Sequence, residues 1–151
     1  MVRNFVSTAV AFLASAPVAL AVELIEKTSP YPVSETIDRL ETAVTGAGAT
    51  IFARVDHGAG AASVDLELPP SELLIFGNPK LGTPAMQDGP TAGLDLPLRV
   101  LAYTDNEGVV RVVYHAPSSL AAAHGLPADA KYIQTMTGAL DKLTGAAVAP
   151  E

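Results

Sequence analysis

Residues 73–98 read LLIFGNPKLGTPAMQDGPTAGLDLPL, and they gather on one segment several side chains that could do chemistry. Asn78, Lys80, Thr83, Gln87 and Thr91 place hydrogen-bond donors on one short segment, and Asp95 stands at its exit. Gly77-Asn78-Pro79 follows an apolar run, so the chain must turn there, and Gly and Asn tolerate the turn while Pro fixes the next residue. Backbone N–H groups at the start of a helical turn over 79–86 would then face a small anion or carboxylate. The plainer reading makes the segment a tight crossover, with Lys80 a solvated charge and Met86 a gap filler. It is not a phosphate-binding P-loop, because the G-K-[ST] ending is absent.

The other chemistry-bearing residues are scattered. His57, His115 and His124 show no i, i+4 pairing and no H-E-x-x-H. A zinc or copper site would have to be assembled across the fold from them with Met86, Asp56 or Asp95, so no metal centre and no cofactor are expected. Ser63, Ser71, Ser118 and Ser119 stand in no G-x-S-x-G elbow. Asp65, Glu67 and Glu72 read as a solvated acidic face. An enzyme, hydrolase or isomerase, would need Asp95, Lys80 and His57 to converge around the central loop. A binding domain needs only the loop.

The elements that must position these residues follow from periodicity. Residues 22–27 read as a short edge strand. Ser34 can cap a helix carrying Ile37, Leu40 and Val44 at helical spacing, stopped at Gly46 and Gly48. Residues 50–56 alternate as a half-buried strand, and 57–61 form a loop or short helix. Leu73 to Phe76 is a continuous apolar run, the pattern of a strand covered on both faces. Residues 96–102 and 109–115 alternate around Asp105-Asn106-Glu107-Gly108 as a hairpin. Pro117 starts a helix closed by Gly125, and Pro127 opens a last helix striped by Ile133, Met136, Leu140 and Leu143. That order, β-α-β-β-β-β-α-α, predicts a single α+β domain. Its sheet of about five strands is mostly antiparallel, with helices packed on one face.

Composition narrows partners and compartment. Residues 1–21 carry one early charge, Arg3, then an apolar run broken by Pro17 and ending in Ala19-Leu20-Ala21, the pattern of a signal peptide cut after Ala21. The run is too short for a stable membrane anchor, so a periplasmic or secreted domain over 22–145 is expected, with a frayed tail at 146–151. Without Arg3, eight basic residues face sixteen acidic ones, a net charge of −8. Such a surface repels phosphate backbones, so nucleic acid is not an expected partner. The chain has no cysteine, which removes disulfides and thiolate chemistry together.

Three stretches carry a family resemblance. ELLIFGNPKLGTPAMQ followed by PTAGLDLPLRVL closely resembles the signature of the DUF302 proteins, a bacterial family of uncharacterised function. ETIDRLETAVTGAGATIFARVDHGAGA resembles the family's helix-then-strand opening, and YHAPSSLAAAHGL its later hairpin-to-helix passage. The resemblance spans about residues 32–143. It implies a compact α+β domain, a homodimer and, in some members, export, and it transfers no catalytic residue. Pro69 stands where the family often has a basic side chain, and His115-Ala116 where it has a polar pair. Both departures weaken an anion site. The reading taken forward is an exported small-ligand or partner-binding domain, a possible homodimer, with an enzyme or an envelope metal-handling protein as alternatives.

Overall fold

A computed structural model of the chain describes residues 22–150. The signal-peptide expectation for residues 1–21 lies outside the described residues. Five strands, β1 (Leu24–Ser29), β2 (Thr50–Asp56), β3 (Ser71–Gly77), β4 (Leu98–Thr104) and β5 (Val110–His115), form one sheet in the order β1-β5-β4-β3-β2. Every neighbouring pair is antiparallel. The expected α+β domain is therefore what the chain builds.

Two helices cover one face of that sheet. α1 (Val33–Gly46) turns Val33, Ile37, Leu40 and Val44 inward. α5 (Lys131–Val148) turns in the expected stripe of Ile133, Met136, Leu140 and Leu143. Leu74, Phe76, Val100, Ala102 and Val112 meet them from the sheet at 2 % exposure or less. α1 begins at Val33 after Pro32 instead of at a Ser34 cap. Its buried Thr36 hydroxyl bonds back to the Pro32 carbonyl at 2.9 Å and shares a 2.7 Å bond with the Ser29 hydroxyl. Similarly, α5 starts at Lys131, after a turn in which the Ala130 N–H donates to the Pro127 carbonyl.

Arg54 ties this layer to the sheet. Its guanidinium reaches Glu72 on β3 and Asp38 on α1, both at 2.6 Å, and donates to the Ser34 carbonyl. Partial burial works against the Arg54 charge, but the bonds to Glu72 and Asp38 outweigh it and hold its pKa above the ordinary value. The β4–β5 turn is closed in a comparable way. Asp105 accepts the Glu107 and Val109 N–H groups at 2.9 Å, and Gly108 takes a positive φ of 78°. Arg111 then clamps Asp105 at 2.7 Å, and that hydrogen bond holds the Asp105 carboxyl below the usual range.

Two expectations change. α3 (Pro79–Asp88) is a full helix of 10 residues with Pro84 inside it, where a short turn was expected. α2 (His57–Ala62) takes the short-helix form of the two expected there, because Asp56 caps it by accepting the Ala59 N–H at 2.8 Å. The tail expected to fray after Gly145 is instead packed. α5 continues to Val148, Ala147 is fully buried, and Arg39 and the Tyr31 hydroxyl donate to the Ala147 and Ala149 carbonyls. Small residues gave that tail no apolar periodicity, yet small residues are what allow it to lie close to α1 and β1.

A second core sits beyond the start of β4. There α3, a 3₁₀ turn (Pro90–Leu94) and α4 (Pro117–His124) pack Ala85, Ala92, Leu120 and Leu126 against Ile133 and Met136 of α5. Gly89 joins α3 to the 3₁₀ turn, and a Cβ there would stand 2.6 Å from Leu126 and 3.1 Å from the His124 carbonyl. A larger residue there would have to displace the Leu126 side chain and press on the His124 carbonyl.

Candidate functional site

The loop after β3 is held by Asn78. Its side chain accepts the Lys80 N–H at 2.9 Å, and its carbonyl accepts the N–H groups of Leu81 and Gly82 at 2.9 and 3.0 Å. Pro79 has no N–H to give. Every first-turn donor of α3 is thus occupied within the chain, and the anion cradle expected from the sequence is already filled. Lys80 and Gln87 point to solvent.

What the loop does build is an apolar cleft of about 170 Å³. Phe52, Leu81, Gly82, Met86, Pro97 and Met136 wall it, with Asn78 and Thr83 also on its lining. A register shift between Ile51 and Ala53 of β2 pushes Phe52 out of the alternation, leaving that ring 56 % exposed. Gly77 keeps the floor low, since a Cβ there would lie 3.4 Å from Pro97 and 3.6 Å from the Phe52 ring. Of the residues singled out in the sequence, the cleft collects Asn78, Thr83 and Met86. Sequence reading missed Phe52, whose one signal was a large aromatic on the polar side of an alternating strand.

Thr91, Asp95 and His124 come together elsewhere. The His124 imidazole meets the Asp95 carboxylate through Nε2 at 2.7 Å and the Thr91 hydroxyl through Nδ1 at 3.0 Å. Arg99 approaches the other Asp95 oxygen at 2.9 Å. The His124 hydrogen bond lowers the Asp95 pKa from its usual range; burial opposes it, and the Arg99 charge adds to the lowering. The His124 side chain is only 8 % exposed, so the cluster fastens the 3₁₀ turn to the end of α4. Beside it, Asp95, Arg99, His115 and Ser119 line a second cleft of about 140 Å³.

His57 joins neither cleft. It follows Asp56, which pairs with Glu72 near the start of β3, whereas Asn78 follows the other end of that strand. The length of β3, about 20 Å at the usual rise per residue, separates them. The grouping of Asp95, Lys80 and His57 needed for an enzyme does not form within one chain. The weak metal candidates part in the same way. His57, His115 and Met86 lie in three different settings, and His124 is engaged by Asp95 and Thr91. Among the described residues no group of three or more His, Asp and Glu is placed to hold a metal ion.

An antiparallel sheet covered by helices on one face, with an apolar cleft at the end of its third strand, defines a small α+β domain. The model of the family described as "Domain of unknown function DUF302" matches residues 25–143, and the chain belongs to that family. The fold resembles the crystal structure of an uncharacterised conserved DUF302 protein from Bacillus stearothermophilus, with a TM-score of 0.67 and 19 % identity over 83 % of this chain and 94 % of that one. Among curated proteins, it is 46 % identical over 123 residues to "Fluoride-specific ion channel FluC 1" of Brucella suis biovar 1 (strain 1330), covering 79 % of this chain and 48 % of the relative. The same identity and length relate it to "Fluoride-specific ion channel FluC 1" of Brucella abortus biovar 1 (strain 9-941), of which 46 % is covered. The chain spans about half the length of the curated relatives it matches. Among the described residues no helix is long and apolar enough to cross a membrane.

Proposed function

We propose that this DUF302 domain is a non-enzymatic binding domain that takes a small apolar group in the cleft between α3, Phe52 and Pro97, and that it acts as an exported homodimer. One observation carries the reading: the cleft wall is almost entirely carbon, while the polar side chains of the same segment are capped, paired or turned to solvent. An anionic ligand would have to compete with bonds the chain already makes. An alkyl or aryl group needs only to displace water from the cleft.

The test is titration with N-phenyl-1-naphthylamine, an apolar fluorescent probe, against the full chain purified as the cell processes it. Saturable binding of one probe per chain is expected, and Gly82→Leu, which fills the cleft beside Leu96, should abolish it while the circular dichroism spectrum is retained. Equal binding by that variant would overturn the reading. Native mass spectrometry of the same preparation reports the dimer, and a mass beginning at Val22 reports the cut after Ala21.

A second reading draws on the 46 % identity to proteins named as fluoride channels. In it, the domain accompanies a fluoride channel as an accessory module and does not form the pore. Its test is fluoride tolerance of a strain lacking the gene. Unchanged growth in fluoride sinks it.

A further inference from the structure

The sequence of β3 reads as a strand covered on both faces, yet only one face is covered. Leu74 and Phe76 are buried under α1 and α5, while Leu73 and Ile75 on the opposite face remain partly exposed. Register carries that open face across the sheet: Leu73 pairs with Leu101, and Leu101 with Val113. Val55 on β2 and Leu24 on β1 extend it, at 36 % and 58 % exposure. Leu68, at 48 %, borders it beside Leu101 and Tyr103.

We infer that this open face is where a second copy of the chain docks, sheet against sheet, which specifies the homodimer of the proposed function and rests on that part of it. Size supports a second copy. Five strands of six or seven residues span roughly 24 Å by 22 Å at usual strand spacing and rise. Two such faces cover on the order of 1,000 Å² in projection, and more in accessible area, which is the scale a specific interface needs. Charge supports it as well. A chain of net charge −7 repels its own copies, but this face is neutralised locally. Arg111 lies between Asp105 at 2.7 Å and Glu26 at 3.2 Å, and Arg99 is held by Asp95 at 2.9 Å. Only matched charges flank the central Leu73, Leu101 and Val113, so a like surface meets no unpaired charge. Two apolar sheet faces also pack at the ordinary sandwich spacing of about 10 Å.

Light scattering on the full chain, purified as the cell processes it, is expected to give twice the chain mass. Leu101→Lys at the centre of the face should halve that mass and leave probe binding in the α3 cleft unchanged. Because the chain has no cysteine, Leu101→Cys offers a second route that does not depend on breaking the interface. It should cross-link to itself with a short bis-maleimide, whereas Thr42→Cys on the outer side of α1 should not. A dimer that survives Leu101→Lys without a Leu101→Cys cross-link overturns the assignment of the face but not the dimer. A monomer at high micromolar concentration overturns both, as does a monomer that instead floats with phosphatidylglycerol vesicles. Loss of probe binding in an otherwise dimeric wild type would count against the ligand reading alone.

Discussion

The His124 imidazole and the Asp95 carboxylate meet at 2.7 Å across 29 residues of sequence, where the 3₁₀ turn crosses the end of α4. Each looked like a ligand-binding or metal-binding group when read alone. Together they form a fastener with Thr91 and Arg99 that sets the path of the chain between α3 and β4.

That fastener has a pH signature. The folded Asp95 carboxyl titrates below its unfolded value of about 3.9, so its contribution is fully present above that pH and is lost as pH falls through the lower folded value. Asp95 is 43 % exposed and screened by solvent. Asp95→Asn should therefore cost about 1 kcal/mol or less at neutral pH. Urea melts of both proteins should show that gap at pH 7 and pH 5 and a narrower one below about pH 4.

Among the described residues Arg54 is the cation paired with Glu72, which is 9 % exposed, and with Asp38. Arg54→Ala strands a mostly buried carboxylate and should cost about 2–3 kcal/mol. Arg54→Ala combined with Glu72→Gln should recover part of the loss, since no buried charge is then left alone. Equal destabilisation in the single and double variants would show that the pair contributes packing only.

Gly89→Ala should destabilise by about 1–3 kcal/mol, because its methyl group would press on Leu126 and on a backbone carbonyl that cannot swing away. Gly46→Ala, where a Cβ meets nothing within 4 Å, is the matched control. Thermal melts that do not distinguish the two would contradict the close crossing.

Phe52→Ala should weaken binding of the apolar probe at least several-fold with little change in melting temperature, since the ring is 56 % exposed and belongs to neither core. A large drop in stability would mean the ring is structural.

Much of the frame was legible in the sequence. Strict alternation on both sides of Asp105–Gly108 specified the β4–β5 hairpin, and the spacing of Ile133, Met136, Leu140 and Leu143 specified the buried face of α5. The site was less legible, because its parts are brought together by contacts far apart in sequence. Phe52 reaches the cleft only through a bulge, and His124 finds Asp95 only once α4 has packed. Pro84 concealed α3, whose start is fixed by one Asn78 side chain. The apolar run 73–76 read as a strand covered on both faces, but the chain covers only the face of Leu74 and Phe76 and leaves Leu73 and Ile75 partly exposed.

Deleting the residues after Gly145 should cost about 2–3 kcal/mol, the loss of Ala147 burial and of the bonds from Arg39 and Tyr31. A truncated protein that melts like the full chain would return the tail to the frayed state first expected.

The same closure sets an order of events during synthesis. Among the described residues β1 is the first strand made and pairs only with β5, and Lys27 within it waits for Asp141 at 2.8 Å. α1 likewise has its apolar stripe covered in part by α5, the last helix made. A ribosome that has reached residue 105 therefore carries a first strand without its partner and a first helix that has only β2, β3 and β4 to pack on. Because such long-range pairings must wait for the distant partner, the chain commits to its fold late and nearly all at once.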